Sequence, residues 1–131
     1  MIALDTSALV AIACAEPEEG AFIRLVAKHE ALVGTPILFE TRMVLATKMP
    51  DYADSFMFDL LERPSIHPVA LTLDMYRAAT AAFCRYGKGR QNPAGLNFGD
   101  CMAYAVAKVH GAPLLYKGDD FRQTDIPAAL P

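Results

Sequence analysis

A chain of 131 residues with 53% hydrophobic side chains has the length of one domain and enough apolar material for a layered core. Its net charge of −3 and pI near 5.5 exclude bulk electrostatic attraction to nucleic acid or to an anionic membrane, so any such binding has to use local basic patches. Cys14, Cys84 and Cys101 are widely spaced with no Cys-x-x-Cys pair, which excludes a thiolate zinc site and a disulfide framework and fits a reducing cytoplasm.

The opening "MIAL" is a short apolar strand ended by the turn-and-cap set Asp5, Thr6, Ser7, after which "ALVAIACA" starts a helix. Asp5 and the lack of a basic leader argue against a signal peptide, and no apolar run reaches the roughly 18 residues of a membrane span, so a soluble protein is expected. Glu16, Pro17, Glu18 and Glu19 open a second helix, with Phe22, Leu25, Val26 and Leu32 assigned to its buried side. "ALVGT" is the second strand. Thr35 and Pro36 are the N-cap and first-turn proline of "ILFETRMVLATKM", in which Ile37, Leu38, Thr41, Val44 and Leu45 share a face, and Pro50 closes that helix.

"DYADSFMFDLLERP" is a further helix between prolines, and "SIHPVAL" is an edge strand because Pro68 has no N–H for a ladder. "TLDMYRAATAAFCRYG" is a long alanine-rich helix, and "GKGRQNPAG" has the glycines and proline of a mobile loop. "LNFGDCMAYAVAKVHG" is an amphipathic helix capped by Asn97 and closed by Gly111, followed by the strand "APLLY" and its exit loop "KGDDF". Helices alternating with short, nearly continuous apolar strands predict the α/β class. The expected architecture is a three-layer α/β/α sandwich with a short, mostly parallel sheet, in one domain over residues 1–131.

In open parallel sheets the loops leaving the carboxyl ends of strands line the ligand crevice. Asp5 follows the first strand, and Asp119 and Asp120 follow the last. Asp100 lies in the first turn of its helix, where the macrodipole alone favours an acid by roughly 0.3–1 kcal/mol. Glu40 falls at the margin of an apolar helix face, beside Pro36, Ile37, Met43 and Val44. Each acid has an ordinary explanation as a cap, turn or boundary residue. If they converge, though, like charges about 4 Å apart repel by about 4 kcal/mol at an effective dielectric of 20, and a divalent cation resolves the conflict. Hard oxygen donors without a nearby histidine favour Mg²⁺ or Mn²⁺, and the matching chemistry is attack of activated water on a phosphodiester. The acidic chain then needs local cations for RNA, for which Arg42, Lys48, Arg85, Lys88, Arg90 and Lys117 are the candidates.

"MIALDTSALVAI", "LNFGDCMAYAVAK" and "LLYKGDDFRQTDI", in this order and spacing, make the chain resemble the PIN-domain ribonucleases, specifically the VapC-type toxins of VapBC toxin–antitoxin pairs. The resemblance implies that Asp5, Glu40 and Asp100 are catalytic acids, with Thr6 or Ser7 hydrogen bonding to water or the metal site. Many such domains end with Asp-x-Asp-Phe, whereas this chain has Gly118-Asp119-Asp120-Phe121, so both Asp119 and Asp120 stand as the fourth acid. It further implies a five-stranded parallel sheet, a homodimer, Mg²⁺ or Mn²⁺ dependence, cleavage of structured RNA such as transfer or ribosomal RNA, and a VapB-type antitoxin whose tail enters the active-site groove. A non-catalytic PIN module binding RNA or protein is the alternative. A metal-dependent phosphatase fits less well, because no Asp-x-Asp pair follows the first strand.

Overall fold

The computed structural model describes residues 1–131. Strands β1 (Ile2–Leu4), β2 (Ala31–Gly34), β3 (Ile66–Val69) and β4 (Leu114–Leu115) form one parallel sheet in the order β3-β2-β1-β4. Helices α1 (Thr6–Ala13), α2 (Glu19–Ala27), α3 (Thr35–Lys48), α4 (Ala53–Glu62), α5 (Leu73–Tyr86) and α6 (Phe98–His110) enclose it, giving the three-layer α/β/α sandwich. β1, β2 and β4 are buried along their whole length, as expected for a parallel sheet covered on both faces. β3 takes the edge that Pro68 requires. No helix is long and apolar enough to cross a membrane.

α6 is the central helix. Gly99 and every residue from Cys101 to Ala107 are buried, because the helix packs against β1, β2 and β4 as well as α3 and α5. Alanines 103, 105 and 107 let these neighbours approach, and a helix apolar on nearly all sides has to be an interior one. Gly111 ends it in the left-handed conformation (φ 60°), where a Cβ would be strained.

The structure corrects several details of the expected fold. The fifth strand is reduced to a single parallel bridge between Leu114 and Ala128. Leu114 N–H donates to the Pro127 carbonyl (2.9 Å) and Ala129 N–H to the Leu114 carbonyl (2.8 Å), but Pro127 has no N–H with which to extend a ladder. Leu32 belongs to β2 and not to α2, which closes at Ala27. α2 begins at Glu19, so Glu16 to Glu18 precede it. The cap of α3 is extended Gly34, and Thr35 is already helical. The segment 87–95 is tethered: Gly87 bridges Leu96, Lys88 N–H donates to the Leu96 carbonyl and Leu96 N–H to the Tyr86 carbonyl, both at 2.9 Å.

Candidate active site

All four strands point the same way, so their carboxyl ends share one edge. From β1 the chain proceeds outward through β2 to β3, and β4 is then laid on the opposite side of β1. The connections therefore diverge at the end of β1, where such sheets open a crevice. Asp5 is the first residue beyond that point, and its N–H donates to the Leu115 carbonyl of β4 at 3.0 Å.

Asp5 is buried and divides its two oxygens. Oδ2 caps α1, accepting from Ser7 N–H (3.0 Å) and the Ser7 hydroxyl (2.5 Å). Ser7 Oγ in turn accepts from Lys117 N–H (2.9 Å), fastening the loop after β4 to the same carboxylate. Oδ1 is buried with no hydrogen-bond partner. The other such buried oxygen, Glu18 Oε1, lies 3.2 Å from the Lys117 ammonium, so Asp5 Oδ1 alone has neither a donor nor a cation. An unsatisfied buried acceptor costs on the order of 1–3 kcal/mol, which makes it a mark of function.

Glu40 leans in from the second turn of α3. The Thr6 hydroxyl donates to Oε1, and the carboxylate lies directly over Gly99 at the start of α6. A Cβ on Gly99 would overlap Oε2 and fall 2.6 Å from Cδ, so this placement needs glycine. Asp100 also serves two purposes. Asn97 Oδ1 accepts from Asp100 N–H (2.8 Å) while Asp100 Oδ2 accepts from Asn97 N–H (3.1 Å), a capping box that leaves Oδ1 unused.

Burial pushes the Asp5 carboxyl up to about 6; the Ser7 hydrogen bonds oppose this, and the negative charges of Asp100 and Glu40 reinforce it. Burial likewise raises Asp100 to about 6 against the Asn97 bond, with Asp120 and Glu40 adding to the rise. Asp5 thus feels the charges of Asp100 and Glu40, and Asp100 those of Glu40 and Asp120. Asp119 and Asp120 are both exposed; Asp119 pairs with Arg122 at 3.3 Å across the single 3₁₀ turn of residues 120–123, and it is the charge of Asp120 that is felt at Asp100.

No group of three or more histidine, cysteine or acidic side chains forms a ready-made metal cage. A small hard cation does not need one, since Mg²⁺ keeps several waters and binds through one or two carboxylates together with substrate phosphate. The unpartnered Asp5 Oδ1, the spare oxygen of Asp100 and the all-oxygen donor set fit such an ion.

Of the candidate cations, Arg42 pairs with Asp54 (2.8 Å) and Lys117 with Glu16 (2.9 Å) and Glu18, whereas Lys48, Arg85, Lys88 and Arg90 have no carboxylate partner. Gly99 is the site residue that sequence reasoning missed, although its place directly before an acid in a helical first turn was a signal. A separate apolar groove of about 260 Å³ runs between α1, α2 and α4, lined by Leu9, Ile12, Ile23, Val26, Tyr52 and Phe56, with Glu19, Asp59 and Arg63 also on its walls.

Comparison with known proteins bears on this geometry. A family model described as "PIN domain" matches residues 2–127. Ribonuclease VapC30 of Mycobacterium tuberculosis is 43% identical over 130 residues, covering 98% of each chain. Ribonuclease VapC of Mycolicibacterium smegmatis is 43% identical over 126 residues, covering 95% of this chain and 97% of the relative. Among solved structures, Mycobacterium tuberculosis VapC20, described as a sarcin–ricin loop cleaving toxin, superposes with a TM-score of 0.77 at 18% identity over 96% of each chain, a likeness of fold.

Proposed function

The chain belongs to the PIN-domain family, among its VapC-type ribonucleases, and we propose that it is the toxin of a toxin–antitoxin pair, an endoribonuclease that uses Mg²⁺ or Mn²⁺. The observation that carries the catalytic reading is the buried, unpartnered Oδ1 of Asp5, on a carboxylate that feels the charges of Asp100 and Glu40. In this reading Asp5, Asp100 and Asp120 would hold the cation, with Asp120 as the fourth acid because its charge is felt at Asp100 while Asp119 pairs with Arg122. When bound, the cation would supply charge for the developing oxyanion and lower the pKa of the attacking water. Glu40, held by Thr6 over Gly99, is placed to take that water's proton. Ser7 fixes the rotamer of Asp5 and ties the loop carrying Asp120 to it.

Purified protein freed of antitoxin should cleave cellular RNA in Mg²⁺ or Mn²⁺, stop in excess EDTA, and recover when the ion is restored. A non-catalytic binding module would retain RNA in all three conditions without producing new 5′ ends. Structured RNA is the proposed substrate class, by analogy with the loop cleaved by VapC20.

The partner reading rests on two surfaces. The groove between α1, α2 and α4 suits the apolar face of an antitoxin helix, and a guanidinium suits the uncompensated acids, where it would compete with the cation. Replacing the antitoxin arginine that enters the site should restore cleavage while the complex stays assembled through the groove. Full inhibition by that variant would remove the arginine from the account. The exposed Phe39 and Met43, four residues apart on α3, support a second copy of the chain as a further partner.

A further inference from the structure

Residues 75–99 contain no aspartate or glutamate but carry Arg77, Arg85, Lys88 and Arg90, in a chain whose net charge is −3. Only Arg77 has a carboxylate partner, Asp74 at 3.1 Å. The guanidinium of Arg85 stacks on the Tyr86 ring and that of Arg90 on the Phe83 ring, each 5.0 Å from the ring centre. These cations are therefore held by aromatic faces rather than neutralised. The Lys88 and Leu96 backbone bonds anchor the segment directly ahead of α6, so this positive stretch abuts the helix end that carries Asp100.

Phe98 is the first residue of α6 and is 77% exposed, more than any other large hydrophobic side chain. Leu96 and Gly99 on either side of the exposed Asn97–Phe98 pair are buried, and the Asn97–Asp100 capping box fixes the backbone around it. The ring thus stands in water on a rigid base, one residue from the glycine over which Glu40 lies and two from Asp100.

We propose that Phe98 is a base-stacking platform for single-stranded RNA beside the acidic site, with Arg85, Lys88 and Arg90 receiving the phosphates that lead to it. Stacking on an aromatic face tolerates any base, and neighbouring cations supply the attraction to phosphate that the chain as a whole lacks. The proposal rests on the ribonuclease reading for its substrate class and deepens it by naming the form of RNA engaged at this edge, an unpaired base.

The test is made on the full chain in EDTA, so that binding is read apart from cleavage. A single-stranded oligoribonucleotide carrying one 2-aminopurine reports affinity by anisotropy and stacking by loss of emission. Wild type should quench the probe. Phe98→Ala should weaken binding about five- to a hundredfold and abolish the quench, whereas Phe98→Tyr should keep both. Lys88→Ala should weaken binding and lessen its salt dependence, with the quench intact at saturation.

Unchanged affinity and quench in Phe98→Ala would overturn the proposal. So would conversion of a dimer to monomers by that change, which would assign the ring to a second copy of the chain. Binding and quenching without any Mg²⁺- or Mn²⁺-dependent cleavage would retain the subsite and defeat the nuclease reading. Cleavage by Phe98→Ala with wild-type KM would do the reverse.

Discussion

Asp5→Asn should abolish RNA cleavage, by roughly a hundredfold or more, and at the same time make the metal-free protein more stable at neutral pH. The first effect follows from losing the carboxylate whose free oxygen has no protein partner. The second follows from its raised pKa of about 6 against an ordinary 3.8, a cost of about 3 kcal/mol for holding the charged form folded at pH 7. Asparagine keeps an oxygen for the two Ser7 bonds and removes the charge, so a gain of about 1–3 kcal/mol is expected, visible as several degrees in Tm.

The pH dependence has a definite sign. Between about pH 4 and pH 6 the folded protein binds the Asp5 proton more tightly than the unfolded chain, so wild-type stability in EDTA should fall as pH rises through that window and then level off. The advantage of the variant should accordingly be small near pH 4 and full above pH 6. Mg²⁺ should raise the Tm of wild type more than that of the variant, because the ion stabilises the folded state only where it binds. Calorimetry across pH with and without Mg²⁺ checks all of this. A variant less stable than wild type at pH 7.5 in EDTA would show that the Asp5 charge is not a burden on the fold.

Gly99→Ala is expected to separate activity from stability in a different way. The three atoms nearest the added methyl group all belong to the Glu40 carboxylate, the far end of a flexible side chain, so Glu40 is expected to swing aside and give up its bond with Thr6. The closest clash is with a movable side chain and not with backbone, and alanine is the better helix former by up to about 1 kcal/mol. Cleavage should therefore drop about ten- to a hundredfold while Tm stays level or rises, since small misplacements of reacting groups are costly. Glu40→Ala added to Gly99→Ala should cause little further loss, because the first change has already removed that carboxylate from the site. Full activity in Gly99→Ala, or two losses that simply multiply, would mean that the position of Glu40 over Gly99 does not matter to the reaction.

The four acids differ in how openly they stood in the sequence. Asp5 and Asp100 were conspicuous because each begins a helix, and the structure shows each using one oxygen for that cap while the other stays free. Their capping reading and their site reading were never in competition. Glu40 was visible only as an acid too near an apolar face. Asp119 and Asp120 are neighbours at the start of one 3₁₀ turn; the first pairs with Arg122, and the charge of the second is felt at Asp100. The basic loop was legible as a composition of glycine, proline and cations, but its tether to Leu96 was not, because those bonds join backbone groups eight to ten residues apart.

The sequence by itself determined the alternation of helices and strands, the Asp5 and Asn97 caps, the edge position of β3 and the acids at strand ends, because these depend on spacing, hydrophobic period and the missing N–H of proline. Only the tertiary structure decided that Ser7 joins Asp5 to the loop after β4, that Thr6 holds Glu40 and that Gly99 makes room for it. Those contacts link residues 110, 34 and 59 positions apart, numbers that follow from the pairs Ser7–Lys117, Thr6–Glu40 and Glu40–Gly99. Local propensity carries no record of such pairs. They arise when β1, β2 and β4 lie side by side with their carboxyl ends level, so that three distant parts of the chain meet at one edge of the sheet.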